Sequence, residues 1–221
     1  MKLKAVSATQ FPSTPMRILS AVVLLIGMAS GALAQGTVIL QNQTGLVNEW
    51  SWSWSDPTPI NVPKNGGYIE LFAAPVGTPL VGWIGSYSSL SGFLGANPAW
   101  AGAGGQAYPI AFGYGLFNSG TVTIGNIGAG ASAEYFLLGW SGSATTADAA
   151  LAGWYAGQNA FGQSAIATTA TGDPTAIPVP GFPVSLRPTF AGMVIVWTPE
   201  PSTSALAGLG LAALLVFRRR N

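Results

Sequence analysis

The chain has 221 residues, of which 49% are apolar and only 7% charged, whereas about a quarter are charged in an ordinary soluble domain. Residues 35 to 198 hold two basic side chains, Lys64 and Arg187, against Glu49, Asp56, Glu70, Glu134, Asp148 and Asp173, a net charge of −4. An acidic body without a basic stripe excludes nucleic acid as a partner, and the lack of any Cys or His excludes disulfide frameworks, thiolate or imidazole metal sites, and Ser-His-Asp or Cys-His catalysis.

Residues 1–34 read as a signal peptide. Lys2, Lys4 and Arg17 give a basic start, an apolar run extends from Ile18 to Met28, and Gly31-Ala32-Leu33-Ala34 follows. The small residues Ala32 and Ala34 fit an A-x-A site, so cleavage is expected before Gln35. Met16 would serve equally as a start and give a more compact signal. An uncleaved anchor is disfavoured because the run from Ile18 to Met28 rises only about 16 Å as a helix, well short of a ~30 Å hydrocarbon core. The expected partners at this end are the general secretory translocon and signal peptidase.

Between the ends, strand-like runs alternate with turn residues. The clearest are Thr37 to Gln43, Glu49 to Ser55, Gly67 to Ala73, Leu80 to Ile84, Ala107 to Phe117, Thr121 to Ile127, Ala133 to Trp140 and Phe190 to Trp197. Short strands at this spacing predict a mostly β fold, a single antiparallel β-sandwich of jelly-roll or immunoglobulin-like kind over residues 35–197. One short helix is expected near Thr146 to Gln158, with Thr145 and Asp148 as a capping-box-like start. Residues 91–106, rich in Gly and Ala, read as a long loop. Prolines 174, 178, 180, 183 and 188 exclude a central strand from that stretch.

Trp50, Trp52 and Trp54 alternate with Ser51, Ser53 and Ser55, so a strand would put all three indoles on one face. Two uses follow. The indoles fill a core, the ordinary solution in a chain this poor in charge, or they form an exposed platform on which sugar rings stack, with Glu49 and Asp56 accepting hydroxyl hydrogen bonds. An interface with another protein is a third.

At the C-terminus Pro199-Glu200-Pro201 precedes an apolar run from Ala205 to Phe217, then Arg218, Arg219, Arg220 and Asn221. The run is short for a spanning helix, although arginines that snorkel extend its reach. The positive-inside rule keeps the arginines cytoplasmic and the preceding chain outside. These three parts, in this order, resemble the PEP-CTERM sorting domain of Gram-negative bacteria. The resemblance covers only about residues 198–221. It implies export by the general secretory route, retention at the inner membrane through a C-terminal transmembrane helix, and processing near Pro199-Glu200-Pro201 by an exosortase, a membrane cysteine protease. It further implies a destination at the cell surface or outside the cell, in a setting of exopolysaccharide and biofilm production. The segments GGYIELFAAPVG, ASAEYFLLGW, AGQNAFGQSAIATTATGDP and FAGMVIV are in turn similar to a group of exported proteins with the same tail, which implies one β-rich domain and supplies no activity for it.

For chemistry in the body, carboxylates remain. A glycosidase needs two acids across a sugar, about 5 to 9.5 Å apart, and Glu49, Glu70 and Glu134 are the candidates, with solvation as the plainer use of each. Gly128 to Ala133 matches a dinucleotide-binding fingerprint in spelling, but a strand-like run rather than a helix follows it. No closely spaced oxygen ligands suit calcium, so no metal or cofactor is expected. Asn42-Gln43-Thr44 is a glycosylation sequon by pattern only. The expected function is that of a non-catalytic surface or matrix protein. A carbohydrate-binding module using Trp50, Trp52 and Trp54 is the alternative, and a carboxylate-dependent glycan-active enzyme is a remote one.

Overall fold

A computed structural model describes residues 35–50 and 58–198. The signal peptide with Ala32 and Ala34, the residues Trp52, Trp54 and Asp56, and the tail from Pro199 with its apolar run and arginines lie outside the described residues. Gln35, expected to follow the cleavage site, is the first residue of β1.

Eleven strands and two helices are described. In chain order they are β1 Gln35–Gln41, β2 Val47–Trp50, β3 Pro59–Asn61, β4 Gly67–Pro75, α1 Leu90–Ala96, β5 Ala101–Pro109, β6 Asn118–Gly128, β7 Ser132–Ser141, α2 Ala147–Tyr155, β8 Phe161–Gln163, β9 Ala167–Ala170, β10 Val184–Ser185 and β11 Met193–Val196. A small sheet has the order β10-β1-β6, and a large one runs β3-β2-β11-β8-β7-β4-β5, with β9 pairing β7 beyond the end of β8. Neither sheet is closed.

The large sheet is buried on both faces at its centre. On one face Ile69, Leu71 and Ala73 of β4 and Tyr135 and Leu137 of β7 share a core with Val38, Leu40, Val122 and Ile124 of the small sheet. On the other, Phe72, Ala74, Phe136, Leu138 and Trp140 pack against Phe93 of α1 and Ala147, Ala150, Leu151 and Trp154 of α2. Double burial explains why β4 and β7 read as nearly unbroken apolar runs, whereas β6, with one buried face, alternates. β4 and β7 approach so closely that a Cβ on Gly67 would run into the Trp140 carbonyl oxygen. The four segments quoted above for their similarity to other exported proteins contain β4, β7, β8, β9 and β11, the contiguous middle of this sheet.

The expectation of a purely antiparallel fold needs correction. β1 pairs β10 in parallel and β2 pairs β11 in parallel, because each late strand returns after a long connection. The Pro-rich stretch supplies only β10, two residues at a sheet edge, where a missing N–H is tolerated.

Two further corrections concern local elements. Residues 91–106 are not a loop but contribute most of α1 and the first part of β5. Ser89 caps α1 by accepting from the Gly92 N–H at 3.1 Å, and Asp148, from α2, accepts from the Leu90 N–H at 2.8 Å. The second bond joins residues 58 apart, so it leaves no local pattern. Conversely, Leu80 to Ile84 is not a strand: the Val81 and Ile84 N–H groups donate to side chains, and the Trp83 and Ile84 carbonyls accept from the tight turn that follows. The Val81 N–H donates to Asn97 Oδ1 at 2.6 Å, and the Val81 carbonyl accepts from Asn97 Nδ2. α2 starts one residue later than expected, with Thr146 as its cap.

Buried asparagines fasten the loops of this charge-poor chain. Asn42 is 7% exposed; its Nδ2 donates to the Gly45 and Gly115 carbonyls and its Oδ1 accepts from the Phe117 N–H at 2.8 Å. Its amide is therefore committed to folding, which removes it as a sugar acceptor. Asn42→Ala is expected to destabilise the protein by about 3 kcal/mol, roughly 1 kcal/mol for each lost bond, seen as a lower urea midpoint with an unchanged slope.

Candidate functional site

The ends of β2, β11 and α2 and the start of β8 meet at one place. Parallel pairing sets Val196 beside Trp50, and antiparallel pairing sets Phe161 beside Val196, Trp140 beside Phe161 and Tyr68 beside Trp140. Paired residues share a face, so these five side chains form a row across the large sheet on the helix side. The Trp140 and Phe161 rings stack at 6.1 Å and 12°, and the Tyr68 and Trp140 rings at 6.3 Å and 22°. Trp154 of α2 closes over the row, 6.4 Å from Phe161. The row runs out from under the helix: Trp140 is fully buried, while Trp50 is 36% exposed.

Trp50 thus lies at the rim, beyond α2, rather than wholly in the core. β2 is described as far as Trp50, and the rest of the strand expected to reach Ser55 lies outside the described residues. On the other face Glu49 Oε1 accepts the Trp197 indole N–H at 2.7 Å. Trp83 meets Trp154 edge to face at 5.1 Å. The Tyr155 hydroxyl lies 2.8 Å from the Gly85 carbonyl and 2.9 Å from that of Tyr87. This aromatic cluster was not legible as a unit, since its members come from β2, the 83–87 turn, α2 and the end of β11.

Each described carboxylate accepts a hydrogen bond from the fold. Glu134 accepts from the Gly77 N–H at 3.1 Å. Glu70 accepts from the Ala147 N–H at the first turn of α2, Asp148 does the same for α1, and Asp173 accepts from Thr175, whose bonds hold it below the usual carboxylate range. Orphan N–H groups at helix starts favour such acceptors. Among the described residues no three acidic side chains group in a way that would hold a metal ion. A cleft of about 590 Å³ is lined by neutral residues including Leu46, Asn48, Gln163, Met193 and Val194.

Burial pushes the Glu70 carboxyl above its usual 4.5; the Ala147 N–H opposes this and the nearby Asp148 charge adds to it. A carboxyl raised by folding binds its proton more tightly folded than unfolded. Its contribution to stability is therefore full at low pH and declines as pH rises from the unfolded value through the folded one. Glu70→Gln keeps the acceptor and removes the charge, so its thermal midpoint should exceed that of the unsubstituted protein at pH 7 and match it near pH 4. Equal midpoints at both pH values would contradict this.

At the end of β11 the chain is tied down three times. Trp154 Nε1 donates to the Val196 carbonyl at 2.8 Å, Trp197 reaches Glu49, and the Thr198 hydroxyl donates to the Trp154 carbonyl at 2.7 Å. The next residues are Pro199-Glu200-Pro201. Residues 198–220 match the PEP-CTERM protein-sorting motif. The PEP-CTERM motif implies an exported protein sorted to the cell surface, with an exosortase as its processing partner. It begins at Thr198, the last described residue. The chain matches no curated protein and no solved structure. Among the described residues no helix is long and apolar enough to cross a membrane; the apolar run from Ala205 to Phe217 lies outside them.

Proposed function

We propose that this protein is a non-catalytic component of the cell surface or extracellular matrix, a two-sheet sandwich handed to an exosortase by its tail. It leaves the cytoplasm through the general secretory translocon and is cut by signal peptidase between Ala34 and Gln35. The apolar segment 205–217 then holds it in the inner membrane, with Arg218, Arg219 and Arg220 on the cytoplasmic side. The exosortase releases it near Pro199-Glu200-Pro201, and it joins the exopolysaccharide and biofilm material outside.

The observation that carries this reading is the PEP-CTERM motif at 198–220, together with a body whose described acids are engaged in structural bonds. A chain without His or Cys leaves little else for catalysis. Half-exposed Trp50 favours a second reading, a glycan-binding rim. Glu49 beside it is already occupied by Trp197, so the stacking face rather than the carboxylate would supply the contact.

Fractionation of native cells with and without their exosortase tests the main reading. The protein should move from the surface fraction to the inner membrane when the enzyme is absent. An unchanged distribution would overturn it.

A further inference from the structure

We propose that, while the tail is inserted, the aromatic end of the body rests on the lipid headgroup layer of the membrane, with Trp50, Trp83, Tyr155, Val196 and Trp197 as the contact. This inference rests on the reading above that the tail is held in a membrane. The first support is where the described chain ends. Thr198, Trp197 and Val196 are bonded to α2 and β2, so the last described point of the chain is fixed at this surface.

The second support is reach. Six residues, Pro199 to Ser204, separate that point from the apolar run that starts at Ala205. Even fully extended they allow roughly 25 Å, and the polar layer on each side of a bilayer takes up about 5 to 8 Å of that. The exit point therefore cannot stand far from the interface, whatever the orientation of the tail.

Third is the chemistry of what surrounds the exit. Trp83 is 37% exposed, Trp197 36% and Tyr155 50%, and Trp and Tyr are the side chains that settle at headgroup level, with an apolar ring and a polar edge. The carboxylate among them, Glu49, accepts the Trp197 N–H. More exposed apolar residues occur elsewhere, as at Ile177, Val179 and Phe182, but no chain leads from them to a membrane.

The cysteine-free sequence gives a direct test. Gln158→Cys and Val196→Cys place single nitroxide labels at the aromatic end, and Tyr114→Cys places one by Gly115, which bonds to the start of β2, as a control. The full chain would be reconstituted in vesicles of phosphatidylethanolamine and phosphatidylglycerol, checked by flotation, and probed by power saturation with oxygen and a water-soluble nickel chelate. The labels at 158 and 196 should be at least about three-fold less accessible to nickel in vesicles than in detergent, with the label at 114 unchanged. Chain that floats with all three labels equally open to nickel would overturn the inference alone. Protection already present without lipid would overturn it in favour of contact between copies of the chain. Chain that does not float would overturn the membrane reading of the tail, and this inference with it.

Discussion

Replacing Pro199, Glu200 and Pro201 together by alanine is expected to leave the protein exported but uncut. Two prolines fix φ near −65° and bias the preceding residues toward extended backbone, the shape in which a protease cleft takes a peptide. Alanine loses that preorganisation together with the Glu200 charge, while the apolar run and the arginines remain. A loss of only ~1.4 kcal/mol in recognition lowers processing about tenfold, and three substitutions should exceed that. Blots of fractionated cells should show the longer form in the inner membrane and little released protein. Normal processing of the triple variant would remove Pro199-Glu200-Pro201 from recognition.

Trp140→Ala should be the most damaging single change in the body. The indole is fully buried, stacks between Tyr68 and Phe161, and donates its N–H to the Ala144 carbonyl at 2.7 Å. Truncation leaves a cavity under α2 and costs about 3 to 5 kcal/mol. In a body of this size that lowers the thermal midpoint by roughly 10 to 15 °C. Trp50→Ala, at the open end of the same row, should cost less than about 1 kcal/mol. Comparable losses at the two positions would contradict the placement of Trp50 at a rim.

The C-terminal sorting motif was legible because such a signal is read by charge and apolar length, which a sequence displays without folding; the signal peptide lies outside the described residues. β4 and β7 were legible for a related reason: strands buried on both faces leave runs such as Ile69 to Ala74 with one charge in them. α1 and β5 were not. Gly and Ala between residues 91 and 106 carry no local preference for either element, and what holds α1 includes Asp148 from a distant helix and burial of Phe93 against Phe136. The parallel pairings of β1 with β10 and β2 with β11 were equally hidden, since pairing partners across long connections leave no periodic trace.

The candidate site divides in the same way. The sorting motif could be read residue by residue, but the aromatic rim beside Thr198 depends on Trp83, Trp154 and Trp197 arriving from three parts of the chain. Of the tryptophan repeat only Trp50 is among the described residues. The repeat gave no hint that Glu49, an acceptor for sugar hydroxyls only in the platform alternative, accepts the Trp197 indole N–H.

The claim at the centre of this account is that the body lies between two cuts. Intact-mass analysis of the protein recovered from native cells tests it at both ends in one measurement. The account predicts a chain that begins at Gln35 and ends near Pro199-Glu200-Pro201, and, in cells lacking the exosortase, a chain that begins at Gln35 and still carries Arg218, Arg219 and Arg220. A surface form that retains the arginine cluster in cells with an active exosortase would contradict it.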